Sequence, residues 1–129
     1  MHAHEWLKDK AGQPAILHPL RVGAAGKTEA EQIVGFLHDV LEDTEYPRAV
    51  IRAAFDPEIM DALDAITRFY SETYREYITR VSKNPLAKVV KINDLRDNLG
   101  RLYSLPYNEA EGLLIRYRRA LVQLGVEEM

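Results

Sequence analysis

Apolar residues recur at helical spacing along almost the whole chain. From Thr28 to Leu41, the residues Ala30, Ile33, Val34, Leu37, Val40 and Leu41 form one stripe at the three-and-four spacing of an amphipathic helix. That segment opens with T-E-A-E, a capping-box pattern in which Thr28 caps the first turn and Glu31 reaches back. Asp56-Pro57 marks a second start, because a proline in the first turn lacks only an N–H that has no helical partner there. Ile59, Met60, Leu63 and Ile66 follow as its buried face. Tyr74, Tyr77, Ile78 and Val81 repeat at i, i+3, i+4 and i+7, and Asn84-Pro85 closes that segment while opening the next. The stretch from Pro85 to about Tyr103 is expected to bury Leu86, Val89, Val90, Leu99 and Leu102. A last helix is expected from about Glu109, after the candidate cap Asn108, on Leu113, Leu114, Tyr117, Leu121 and Leu124.

No segment alternates convincingly as a strand. Ala15-Ile16-Leu17 is too short to decide, and it leads straight into His18-Pro19. Gly12, Pro14, Gly23, Gly26, Pro47 and Pro106 fall between the helical patterns, where breakers belong. The pattern predicts an all-α bundle of five or six helices, with 1–129 as a single domain.

Composition narrows the chemistry. A length of 129 residues suits one core, and 47% apolar with 29% charged residues is ordinary globular composition. No apolar run approaches the roughly 18 residues of a membrane span, and the opening MHAHEWLKDK has no apolar core of signal-peptide length. The expectation is a cytoplasmic protein without membrane contact. The absence of cysteine excludes disulfides, thiolate zinc sites and thiol nucleophiles. With 17 Lys+Arg against 20 Asp+Glu the net charge is −3, so no nucleic-acid partner is expected. The stretch R-Y-R-R (116–119) reads as a solvated basic face.

What remains for chemistry is histidine, carboxylate and a metal. His18 closes the loop Q-P-A-I-L-H-P; G-F-L-H-D-V-L-E-D-T carries His38, Asp39, Glu42 and Asp43; K-I-N-D-L-R-D-N carries Asp94, Asp97 and Asn98. Residues four apart share a helix face, so His38 lies over Glu42, Asp39 over Asp43 and Asp94 over Asn98. A His-Asp pair inside the stripe of Phe36, Leu37, Val40 and Leu41 implies that at least one polar group points inward, where charge needs a partner or a metal. Taken singly, each piece has a bland reading: a lone His before Pro is more often a capped loop residue, and Asp94 near Lys91 and Arg96 is more often a surface ion pair. The conjunction of His18, His38-Asp39 and Asp94 is different. Two imidazoles and two carboxylates suit a divalent ion such as Mn²⁺, Fe²⁺ or Zn²⁺.

The order His18, His38-Asp39, Asp94 resembles the HD-domain metal-dependent phosphohydrolases. The longer strings K-A-G-Q-P-A-I-L-H-P-L-R-V (10–22), H-D-V-L-E-D-T (38–44) and K-I-N-D-L-R-D-N-L (91–99) resemble the hydrolase domain of RelA/SpoT-type alarmone enzymes, above all the small alarmone hydrolases. The resemblance covers residues 8–124 approximately. It implies an HD-type fold in which His18, His38, Asp39 and Asp94 hold one metal, typically Mn²⁺. It implies that Glu42 and Asp43 position and activate the attacking water. By the same resemblance Lys10 and Asn98 contact a guanosine nucleotide, and the reaction removes pyrophosphate from the 3′ position of (p)ppGpp. Arg21, Arg68 and Lys91 are further candidates to clamp phosphate, with a surface role equally open. Tyr117 falls near where the family closes its pocket.

The residues agree with that chemistry, since a divalent metal supplies a nucleophile at neutral pH by lowering the pKa of water. Glu42, one turn beyond His38, is suitably placed for a general base. Two departures concern the nucleotide side: Ala15 stands where the family often has an aromatic residue, and Asp9 where it commonly has Arg or another polar residue. They leave open a phosphohydrolase acting on another nucleotide, such as NADPH or a nucleoside monophosphate, and a non-catalytic metal- or nucleotide-binding module. Only nine residues precede Lys10, so the family's leading helix is nearly absent, and an uncovered apolar face would favour a homo-oligomer. By the same resemblance, a length of 129 residues is expected to hold the hydrolase unit without a synthetase.

Overall fold

A computed structural model describes residues 17–43, 54–69 and 71–126, with the backbone alone at 40–43. These residues form six α-helices: α1 (Leu17–Ala25), α2 (Glu29–Asp43), α3 (Pro57–Ile66), α4 (Tyr74–Ser82), α5 (Pro85–Gly100) and α6 (Tyr107–Gln123). A 3₁₀ turn, Leu102–Ser104, joins the last two, and no strand occurs among the described residues. The protein is all-α, as the periodicity predicts.

Helix α5 is the hub, packing against each of the other five helices. Ala87, Val90, Lys91, Asp94 and Leu95 are its buried positions, at i, i+3, i+4, i+7 and i+8. Val89 lies off that face and is exposed, contrary to the sequence expectation. Around α5, the side chains of Val22, Val34, Leu63, Ile66, Ile78, Val81 and Leu124 are fully buried. Each such large aliphatic contributes about 1.5–3 kcal/mol relative to exposure.

Helix boundaries follow local chemistry. The Thr28 hydroxyl accepts from the Glu31 N–H at 3.1 Å, while the Glu31 carboxylate reaches one residue further back, to the Lys27 N–H at 2.9 Å. A complete capping box lies elsewhere, unread in the sequence: Thr73 and Glu76 accept from each other's backbone N–H at the start of α4. Asn84 caps α5 through the Ala87 N–H at 3.0 Å, with Pro85 following. Gly125, at φ 90°, ends α6: its N–H bonds Val122 O and the Val126 N–H bonds Leu121 O, the paired bonds of a Schellman motif.

Three boundaries differ from expectation. The stretch from Leu17 on is helical, so His18 sits in a helix and not in a loop. Pro19, which has no N–H to donate, is buried within α1. Gly23, read as a breaker, is buried in α1 against α2. A Cβ on Gly35 would come within 2.9 Å of Val22 O and 3.1 Å of the Gly23 Cα, so paired glycines let the two backbones touch. Helix α5 stops at Gly100 instead of about Tyr103, the chain tightening into i→i+3 bonds from Ser104 N–H to Arg101 O and from Leu105 N–H to Leu102 O. Helix α6 starts at Tyr107, before the expected cap Asn108, because the Pro106 carbonyl already accepts from Glu109 and Ala110 N–H at 3.0 and 2.9 Å.

The C-terminus of α3 is closed from a different helix. The Arg80 guanidinium in α4 donates to the carbonyls of Asp64, Ala65 and Thr67 at 3.1, 2.8 and 2.6 Å. It also grips Glu72 at 2.7 and 3.2 Å and stacks on the Phe69 ring at 4.3 Å. A cation placed on the C-terminal carbonyls of a helix donates to them and opposes the helix dipole.

Candidate metal centre

Three helices meet at one point. Helix α1 contributes His18, α2 contributes His38 and Asp39, and α5 contributes Asp94. Each of the four offers one ligand atom, and these atoms all lie within 4.8 Å of one another. His18 Nε2 is 2.7 Å from Asp94 Oδ1 and 3.2 Å from Asp39 Oδ2; His38 Nε2 is 3.2 Å from Asp39 Oδ1 and 3.3 Å from Asp94 Oδ1. The glycine contact between α1 and α2 draws the two imidazoles together, with ring centroids 6.3 Å apart. Donors held about 2.1 Å from one ion lie about 3 Å from their neighbours, and the observed spacings match. The His/Asp group can therefore bind a metal.

Each of three ligand side chains is braced from behind. His38 donates from Nδ1 to the Gly35 carbonyl at 2.8 Å, which directs Nε2 into the cluster. His18 donates from Nδ1 to Asp97 at 2.5 Å. Asp94 accepts from the Lys91 ammonium through Oδ2 at 2.8 Å, leaving Oδ1 for the imidazoles.

The electrostatics follow from this crowding. Burial disfavours the charged form of His38, but its bond to Asp94 and the charges of Asp39 and Asp94 override it and raise the pKa to about 9. His18 is shifted in the same direction for the same reasons, with Asp97 adding to the effect. Burial opposes ionisation of Asp94 too, yet the Lys91 charge and both imidazole N–H groups hold it well below the carboxylate range. Lys91 is raised well above its ordinary value, burial being outweighed by Asp94. Carboxylates that draw protons onto neighbouring imidazoles form a site with a strong local preference for positive charge.

Other expected site residues are scattered. Arg21 donates to both Asp97 oxygens, from Nε at 2.6 Å and from Nη2 at 3.2 Å. Lys91, read as a phosphate clamp or a surface residue, is instead buried against Asp94, with Nζ 5.2 Å from the Tyr77 ring centroid. Arg68 is exposed, its guanidinium 5.3 Å from the Tyr74 ring centroid. Asn98 accepts from Arg101 Nη2 at 2.7 Å. Tyr117 is half-buried, and burial followed by the negative charge of Asp94 pushes its hydroxyl pKa up. Glu42 and Asp43 lie in the last turn of α2, with side chains outside the described residues; Lys10, Asp9 and Ala15 lie outside them altogether. No sequence motif marks a role for Asp97 or Gly35. The available signal for Asp97 was its place three residues after Asp94, just as Arg21 follows His18 by three.

An all-α scaffold carrying a His₂Asp₂ cluster defines the class of site, and comparison with known proteins adds the relatives. The chain is 30% identical over 121 residues to a GTP pyrophosphokinase of Streptomyces coelicolor, covering 84% of this chain and 14% of that protein. It is 29% identical over 112 residues to the guanosine-3′,5′-bis(diphosphate) 3′-pyrophosphohydrolase of Aquifex aeolicus, covering 78% and 16%. A protein of the same name from Borreliella burgdorferi is 27% identical over 140 residues, covering 93% and 21%. The chain is thus similar to part of curated enzymes whose names match the activities of the family that its motifs resemble. It spans a seventh to a fifth of the length of these curated relatives (14–21%). No protein-family model matches it. Among the described residues no helix is long and apolar enough to cross a membrane.

Proposed function

We propose that this chain is a divalent-metal-dependent phosphohydrolase with an HD-type fold, removing the 3′-pyrophosphate of (p)ppGpp, and that Mn²⁺ is its metal. The observation that carries this reading is the convergence of His18, His38, Asp39 and Asp94 from three helices. The names of the Aquifex and Borreliella relatives and the three motif strings support the substrate.

The donor set fits the ion. Two imidazole nitrogens and two carboxylates suit Mn²⁺ and leave positions for water and a phosphate oxygen. Bound there, a divalent ion would supply a lowered pKa for water and charge to offset phosphate. The protein's own groups do the rest. His18, His38, Asp39 and Asp94 hold the ion, and Lys91 keeps Asp94 ionised and aimed. Glu42 and Asp43, on the turn after His38 and Asp39, position the attacking water and take its proton. Arg21 gives two donors to Asp97 and has others for a phosphate oxygen. Lys10, Asn98 and Tyr117 contact the nucleotide. A second reading keeps the chemistry and changes the base: Ala15 and Asp9 favour a pocket for another nucleotide, such as NADPH or a nucleoside monophosphate.

The test is release of pyrophosphate from (p)ppGpp with Mn²⁺, alongside NADPH and nucleoside monophosphates. Turnover confined to (p)ppGpp supports the first reading, and turnover confined to another nucleotide supports the second. Folded, Mn²⁺-loaded protein that turns over no phosphoester defeats both and leaves a binding module.

A further inference from the structure

Asp97 belongs to neither the four-residue cluster nor the acid pair, yet it touches the centre. It sits one turn beyond Asp94 on α5 and accepts the Nδ1–H of His18 at 2.5 Å. The other nitrogen of that ring faces Asp94 and Asp39. Asp97 is itself held: Arg21, one turn along α1 from His18, donates to both of its oxygens, and Arg101 Nε lies 3.3 Å from Oδ2. His38 is oriented differently, by a backbone carbonyl of its own helix. His18 therefore depends on a side chain 79 residues away for its ring orientation.

An imidazole ligates through one nitrogen, and an acceptor on the other fixes both tautomer and ring angle. We infer that Asp97 is a positioning residue that holds His18 with Nδ1 protonated and Nε2 presented to the metal, and that Arg21 acts on the same ligand through Asp97. This rests on the metal reading above. A purely structural tie between α1 and α5 would use the same ion pair but would move only the stability of the fold.

The test is calorimetric titration of the full chain with Mn²⁺, with melting followed in parallel. Asp97→Ala is expected to weaken Mn²⁺ binding by about 10–100-fold, the usual loss when such a partner is removed. Asp97→Asn, whose side-chain oxygen still accepts from Nδ1–H, recovers part of the affinity. Arg21→Ala weakens binding less than Asp97→Ala, and the double variant binds no more weakly than Asp97→Ala alone. The inference is overturned if folded Asp97→Ala binds Mn²⁺ within twofold of wild type, or if Arg21→Ala adds its full loss on top. Should Asp97→Ala fail to fold, Asp97→Leu, which fills the space but accepts no hydrogen bond, decides by the same twofold criterion. Wild-type protein that binds no Mn²⁺ overturns the metal reading itself, and this inference with it.

Discussion

The molecule contains two charged clusters built on opposite principles. Around Arg80, one cation meets three carbonyls at the end of α3 and one carboxylate, and its five N–H groups all find acceptors. Around Asp94, two carboxylates and two imidazoles turn their ligand atoms toward one point. The first cluster is complete within the protein. The second raises the pKa of both histidines, which is the response of a site short of positive charge. Charge that closes a helix is neutralised by its neighbours, whereas charge gathered for a ligand is left for the ligand to balance.

Substitutions can break this contrast, and the largest effect belongs to the second cluster. Asp94→Asn should lower the proposed Mn²⁺-dependent hydrolysis by about three orders of magnitude, since several kcal/mol of transition-state stabilisation would go with the metal. Initial rates and Mn²⁺ content measured together check this, and near-normal rates would remove Asp94 from the ligand set. Arg80→Ala should do the reverse. It removes the donors that satisfy the carbonyls at the end of α3 and takes from Glu72 its Arg80 partner, leaving the Phe69 N–H, which should cost about 2–4 kcal/mol in urea unfolding, while Mn²⁺ affinity stays within twofold.

Smaller effects sharpen the comparison. Gly35→Ala forces a methyl against Val22 O and Gly23, which should cost about 1–3 kcal/mol. Because it separates His18 from His38, it should also weaken Mn²⁺ binding, linking fold and site as Arg80 does not. Gly112 in α6 has open space around its Cβ direction, so Gly112→Ala should stabilise by about 0.5–1 kcal/mol without touching the metal. Chemical denaturation of the two variants side by side tests both signs.

The smallest effect is a pH dependence. The bond from Arg80 lowers the Glu72 pKa below its ordinary 4.5. Its stabilisation is therefore present above that value and lost as pH falls through the lowered one. Glu72 is close to solvent, so the loss should stay under about 1 kcal/mol. Stability curves of wild type and Glu72→Gln should converge in acid and separate above pH 5; parallel curves would show that the pair contributes nothing.

Much of this was legible in order along the chain. The stripes of α3 and α4, the cap Thr28 and the break at Asn84-Pro85 are local patterns, and each appears where the sequence places it. Residue chemistry was legible as well, since His18, His38-Asp39 and Asp94 were candidate ligands before any helix was packed. Helix α1 is not legible in the sequence because Gly23 looks like a breaker until Gly35 of the next helix lies against it.

The sequence alone determined helical periodicity and the donor types available, because both depend on neighbours within a turn or two. Only the tertiary structure decided that Lys91 is buried on Asp94, that Asp97 reaches His18 and that Arg80 closes α3. These contacts join helices, so they depend on how three or more apolar faces pack around α5 and not on any spacing along the chain.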